Sequence, residues 1–118
     1  MARILVTGGS GYFGNVLVDQ ALARGDEVRV FDLNPPGEHA GEVDFVQGDV
    51  RDRDDVRRAC ADIDAVLHNV AQVPLARDRD LFWSVNVLGT ANLLVAARDA
   101  GVGKVVHTSS SAVFGVRP

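Results

Sequence analysis

The chain has 118 residues, 47% hydrophobic and 24% charged, with a net charge of −4. That is enough for one domain with a real core, and the negative balance removes the electrostatic case for nucleic acid or an anionic membrane as partner. The single cysteine, Cys60, excludes an internal disulfide. No apolar run approaches the roughly 20 residues of a membrane span, and Met1-Ala2-Arg3 lacks signal-peptide anatomy, so a cytoplasmic location is expected.

Arg3-Ile4-Leu5-Val6-Thr7 is a β-branched apolar run that ends in glycines, and it predicts a first strand. From Phe13 the apolar residues take helical spacing, with Phe13, Val16, Leu17 and Ala21 on one face and Gly25 as terminator. Val28-Arg29-Val30-Phe31 predicts a second strand, closed by Asp32 and the turn residues Asn34-Pro35-Pro36-Gly37. Val43-Asp44-Phe45-Val46 predicts a third, after a connection too short for a full helix. Asp52 or Asp54 caps a short helix with a buried stripe of Val56, Ala59, Cys60 and Ile63. Ala65-Val66-Leu67-His68 predicts a fourth strand. Leu81, Val85, Leu88 and Val95 form the inner face of a long helix that Gly101 ends, and Lys104-Val105-Val106-His107-Thr108 predicts a fifth strand. Strands alternating with helices imply βαβ units, hence an α/β fold with a Rossmann-type, doubly wound parallel sheet ordered 3-2-1-4-5.

The loop after the first strand carries the strongest chemical signal. It reads as G-x-x-G-x-x-G through Gly8, Gly11 and Gly14, or as G-x-G-x-x-G through Gly9, Gly11 and Gly14. Alone either pattern is weak, and a flexible loop that binds nothing has the same composition. Here a strand precedes it, a helix follows, and an acid stands about 20 residues on at Asp32. Glycines permit a tight turn and a close backbone approach to a pyrophosphate, while the helix N-terminus offers N–H groups and partial positive charge. The Asp32 carboxylate, with Leu33 beside it, suits an adenosine ribose and repels a 2′-phosphate. No arginine directly follows to accommodate one. The expected cofactor is NAD rather than NADP.

Further blocks occur in order: Gly48-Asp49-Val50-Arg51-Asp52, Val66-Leu67-His68-Asn69-Val70-Ala71, Asn86-Val87-Leu88-Gly89-Thr90, and Thr108-Ser109-Ser110-Ser111-Ala112-Val113-Phe114-Gly115. With the glycine loop and Val30-Phe31-Asp32, they make the whole chain resemble the extended short-chain dehydrogenase/reductase family, in its NAD-dependent sugar-nucleotide epimerase/dehydratase branch. The resemblance implies that Tyr12 and Phe13 lie beside the pyrophosphate and that Asp49 and Val50 flank the adenine. It implies that Asn69, Val70 and Ala71 run toward the nicotinamide ribose, that Asn86 contacts the cofactor or braces the fourth strand, and that Ser110 is the catalytic Ser/Thr. Two departures are noted: Asn69-Val70 stands where the family is often alanine-rich, and Phe114 replaces a frequent tyrosine.

Plainer roles exist for several of these residues. Asn86 can be a buried hydrogen-bonding residue, Asp49 the start of a turn, and Ser109 to Ser111 polar loop residues at a strand end. His39, His68 and His107 lack metal-ligand spacing and read as structural, Cys60 as a small buried hydrophobe, and Arg51 to Arg58 as a solvated helix face.

The resemblance also implies a Tyr-x-x-x-Lys acid–base pair that this chain does not contain. Residues 1–118 are therefore expected to be an incomplete NAD-binding domain, truncated before the substrate domain and inactive alone. The longer parent is expected to be an epimerase or dehydratase, an oxidoreductase or isomerase by reaction, that transfers hydride reversibly at a sugar carbon. A related reductase or hydroxysteroid-type dehydrogenase, and a non-catalytic NAD-binding sensor module, are the alternatives. Expected partners are NAD, a nucleotide sugar in the parent, and further copies of the chain in a homo-oligomer, with no nucleic acid and no membrane.

Overall fold

The computed structural model describes residues 1–70 and 79–109. The parallel sheet has five strands in the order β3-β2-β1-β4-β5, as the alternation of strands and helices predicts. The strands are β1 (Arg3–Thr7), β2 (Glu27–Asp32), β3 (Asp44–Gln47), β4 (Ala65–His68) and β5 (Lys104–His107). The central pairings put Thr7 opposite Phe31 on one side and His68 on the other. All strands point the same way, so their C-terminal ends gather along one edge, where open α/β sheets bind ligands. The link from β2 to β3 contains no helix.

Each face of the sheet has its own core. Val6, Val28 and Val30 pack with Val18 and Ala21 of α1 (Tyr12–Ala23). Leu5, Phe31 and Val66 pack on the other face with Val56, Ala59 and Cys60 of α2 (Arg53–Cys60), and with Leu93 and Ala97 of α4 (Thr90–Asp99). Neighbours such as Leu5 and Val6 face opposite layers, which is why these strands are apolar throughout instead of alternating. Burial pushes the Cys60 thiol up to about 11, keeping it a neutral hydrophobe.

Local signals placed the helix ends well. Asp52, not Asp54, caps α2, its carboxylate accepting the N–H groups of Asp54 and Asp55. Gly25 and Gly101 follow α1 and α4 with φ of 84° and 77°. At the other end of α2, Arg29 of β2 donates from Nη1 to the carbonyls of Ala59 and Ala61 at 2.9 and 2.7 Å. Its Nε donates to Asp44 at 2.7 Å.

Two helix faces differ from expectation. In α1 the buried residues are Gly14, Val18 and Ala21, while Phe13 and Val16 are exposed. Gly14 must lie against the glycine loop, and that contact turns Phe13 and Val16 outward. The second difference follows α3 (Arg79–Trp83), where residues Ser84–Gly89 form a π-helical segment before α4. A π turn holds one more residue than an α turn, so the inward stripe slips by one position. Gly89, Leu93 and Ala97 follow Val85 into the core, leaving Leu88 and Val95 exposed.

The helical run Arg79–Asp99 also corrects the expected absence of a span-length apolar helix. It has 21 residues, and an 18-residue stretch within it has a mean hydropathy of 1.3, enough by length and composition to cross a membrane. Here its inner stripe is part of the core.

Candidate functional site

A cleft forms where β1 and β2 end. Gly8 takes φ of 69°, a conformation open to glycine at little cost. Its N–H donates to the Phe31 carbonyl at 2.8 Å, which carries the β1–β2 pairing into the first residue of the loop. Gly14 fits only because it lacks a side chain: a Cβ there would stand 2.8 Å from Gly9 Cα and closer still to the Gly8 carbonyl. Gly9 lies beneath the loop against Val30, and Gly11 is exposed at the mouth.

Helix α1 starts from this loop with no side-chain cap and no acid in its first turn. A helix leaves its first N–H groups without intrahelical acceptors, so those of Tyr12, Phe13 and Gly14 suit an anion. An acidic cap would have competed with a phosphate. Tyr12 and Phe13 are exposed beside this helix end.

Asp32 holds the next position. Its Oδ2 accepts the Ser10 N–H at 3.1 Å and its Oδ1 accepts the Asn34 N–H at 3.0 Å. A carboxylate has about four lone-pair directions, so each oxygen keeps capacity for a ribose hydroxyl. The cleft is about 490 Å³ and is lined by Gly8, Gly11, Asp32, Leu33, Asp49, Val50, Asn69 and Val70 among the residues the sequence singles out. Among the described residues Phe31, Gly48, Arg51, Leu81 and Val85 line it too. Asn86 is half-buried in the π-helical segment and is not among the lining residues. Ala71 and Ser110 lie outside the described residues.

Arg51 differs from its expected place on a solvated helix face. It precedes α2, lines the cleft, and contacts Asp49 through Nη2 at 2.5 Å. That guanidinium holds the Asp49 carboxyl below its usual range. Asp55 in turn accepts the Asp49 N–H at 3.1 Å. Asn92 of α4 donates to the carbonyls of Val50 and Arg51, each at 3.2 Å. The wall opposite α1 is thus fastened from two helices. Sequence reading passed over Asp55 and Asn92 because their partners are backbone groups with no motif of their own.

At β4, His68 is buried and paired with Thr7 and Thr90. His107 stacks on it, with ring centroids 5.5 Å apart. Among the described residues no group of His, Cys, Asp and Glu is placed to hold a metal ion. The cleft fits a dinucleotide instead: a carboxylate for one ribose, a glycine-lined helix N-terminus for the phosphates, and room on toward β4.

Comparison with known proteins agrees with this chemistry. The chain is 57% identical to "Uncharacterized protein y4nG" of Sinorhizobium fredii, over 94% of this chain and 28% of that one. It is 39% identical to the human "Sterol-4-alpha-carboxylate 3-dehydrogenase, decarboxylating", over 95% and 30%. The chain therefore spans about a third of the length of these relatives. Among solved structures, an NAD-bound short-chain dehydrogenase/reductase superfamily protein of Agrobacterium tumefaciens superposes with TM-score 0.88 at 39% identity, covering 96% of this chain and 34% of that one. The NAD complex of Thermus thermophilus UDP-glucose 4-epimerase gives 0.78 at 40% identity, covering 87% and 36%. The model of the NAD dependent epimerase/dehydratase family matches residues 4–118. The chain belongs to that family.

Proposed function

We propose that this chain is the NAD-holding portion of an epimerase or dehydratase that moves hydride reversibly between NAD and a hydroxyl-bearing carbon of a nucleotide sugar. The observation that carries the reading is the cleft itself, which runs from Asp32 across the uncapped start of α1 to Asn69 and Val70. NAD supplies the hydride chemistry; the chain's own residues bind and orient it. Asp32 holds the adenosine ribose, the N–H groups from Tyr12 to Gly14 hold the phosphates, and Asp49 with Val50 flanks the adenine. Ser110 is proposed to hydrogen-bond the reacting substrate oxygen, with Ala71 and Asn86 on the cofactor's far half.

A second reading, oxidation of a sterol or steroid hydroxyl, is favoured by the human sterol dehydrogenase at 39% identity. Both readings need an acid–base pair from outside this chain. Tyr12, the single tyrosine, follows the C-terminal end of β1, whereas Lys104 opens β5 at the opposite end of the sheet. The chain alone is thus proposed to bind NAD without turnover. In the longer protein, a nucleotide sugar should be converted with no lasting change in NADH absorbance, because the hydride taken up by NAD is returned to the sugar; a lasting rise with a 3β-hydroxysteroid and no conversion of nucleotide sugars would select the sterol reading. Ser110→Ala there should lower turnover by about 10²-fold while leaving NAD affinity nearly unchanged.

The exposed Trp83, Val87, Leu88, Leu94 and Val95 on the Arg79–Asp99 run support self-association as the fate of this face. Sedimentation giving a clean monomer at high concentration would defeat that part. A cytoplasmic setting is proposed on composition alone.

A further inference from the structure

Thr7 ends β1 and His68 ends β4, side by side in register and both buried. Thr7 Oγ1 lies 2.7 Å from His68 Nδ1. The same oxygen accepts the backbone N–H groups of Asn69 at 2.9 Å and Val70 at 3.4 Å. A hydroxyl has one proton and two lone pairs. With both lone pairs turned to backbone N–H groups, the proton is left for Nδ1. Nδ1 is then the accepting nitrogen, and Nε2 carries the ring proton, donating it to Thr90 Oγ1 at 3.2 Å. Burial, together with the neighbouring His107, pushes the His68 pKa down to about 4, so the ring is neutral near pH 7 and the tautomer is set by its partners.

This relay ends at the wall of the cleft, because Asn69 and Val70 both line it. The Asn69 side chain is held as well: Oδ1 accepts from the Thr108 hydroxyl, and Nδ2 donates to the Leu67 carbonyl at 3.3 Å. Strand order assigns this wall its part of the ligand. With the adenosine ribose at Asp32 on β2 and the phosphates over the loop after β1, the second nucleoside of a dinucleotide arrives at β4.

We propose that His68 is a positioning residue for that second nucleoside: by accepting the Thr7 proton it keeps the Thr7 oxygen aimed at the N–H groups of Asn69 and Val70, and so holds the strand end against which the nicotinamide half docks. The inference rests on reading the cleft as a dinucleotide site. Without the Nδ1 acceptor, the Thr7 hydroxyl is free to rotate, and the two N–H groups lose a fixed partner.

The test is calorimetry with two probes, NAD and ADP, since ADP lacks the second nucleoside. Thr7→Val should weaken NAD about tenfold while moving ADP less than about twofold. Thr7→Ser, which keeps the hydroxyl, should restore the NAD affinity. His68→Phe should reproduce the selective loss. Equal weakening of both probes would mean a general loosening, and unchanged NAD affinity in a folded variant would mean no positioning role; either overturns the proposal. Should His68→Phe fail to fold, the Thr7 pair still decides. The ¹⁵N shifts of the His68 ring decide independently: a proton on Nδ1, or titration between about pH 5.5 and 8, would also overturn it. Failure of the unmodified chain to bind NAD would instead strike the dinucleotide reading, and the positioning role with it.

Discussion

Gly14 packs so closely on Gly8 that a methyl group built on it would collide with the Gly8 carbonyl oxygen. This contact joins the first turn of α1 to the glycine loop, the proposed seat of the phosphates. Gly14→Ala should force the backbone apart and destabilise the fold by about 1–3 kcal/mol, seen as a lower urea midpoint. Gly11→Ala meets the same oxygen only at 3.4 Å, so it should leave the midpoint nearly unchanged and weaken NAD binding by crowding the cleft. Equal midpoints for the two variants would contradict this assignment of roles.

Asp32 should set the choice of dinucleotide. The unmodified chain should bind NAD more tightly than NADP, because a 2′-phosphate would meet the carboxylate. Asp32→Ala should narrow the gap by about tenfold or more, measured by calorimetry with each cofactor. Equal affinities before mutation would count against the assignment.

Asn92 braces the cleft wall proposed to flank the adenine, through the Val50 and Arg51 carbonyls. Asn92→Leu should therefore weaken NAD and ADP together, by about three- to tenfold. That pattern differs from the one expected of Thr7→Val. A loss confined to NAD would show that α4 supports a different part of the cleft.

Arg29 closes the C-terminal end of α2 with a fork of donors, and its side chain is only 13% exposed. Arg29→Ala should cost about 1.5–3 kcal/mol, the range for hydrogen bonds to charged groups. Arg29→Lys should recover little, since an ammonium cannot span Asp44 and the helix carbonyls in one plane. Full recovery of the urea midpoint by lysine would refute the geometric part of this prediction.

His39 supplies a pH dependence. Its Nδ1 lies 2.6 Å from Glu42 Oε2, and its Nε2 forms an ion pair with Asp19 Oδ1 at 2.5 Å. The hydrogen bond that His39 donates to the Glu42 carboxylate is the chief cause raising its pKa above 6.5, and Asp19 adds to it. A raised folded-state pKa means that this stabilisation is complete below the unfolded value and fades as pH rises through the folded one. The stability difference between the unmodified chain and His39→Gln should thus be larger at about pH 6 than at about pH 8.5. A difference that grows with pH would reverse the sign and refute the contact as the cause.

Much of this protein is legible without a structure because its signals are local. Strands closed by turn residues, the Asp52 cap, Gly25 and Gly101 after their helices, and the buried stripe of Val56, Ala59 and Cys60 each depend on residues a few positions apart, whereas Ile63, expected on that stripe, is buried beyond the end of α2. The glycine loop and Asp32 are distant in sequence yet sit at the ends of adjacent strands, so topology makes their meeting predictable. Tertiary structure decided the rest. Packing against Gly8 chose the buried face of α1, and one π turn moved the inner stripe from Leu88 to Gly89, which a fixed helical period cannot anticipate. Arg51 reached the cleft because Asp49 holds its guanidinium there. The Thr7–His68–Thr90 chain exists only because β1, β4 and α4 converge on one buried point, where unpaired polar groups would be costly and must find one another.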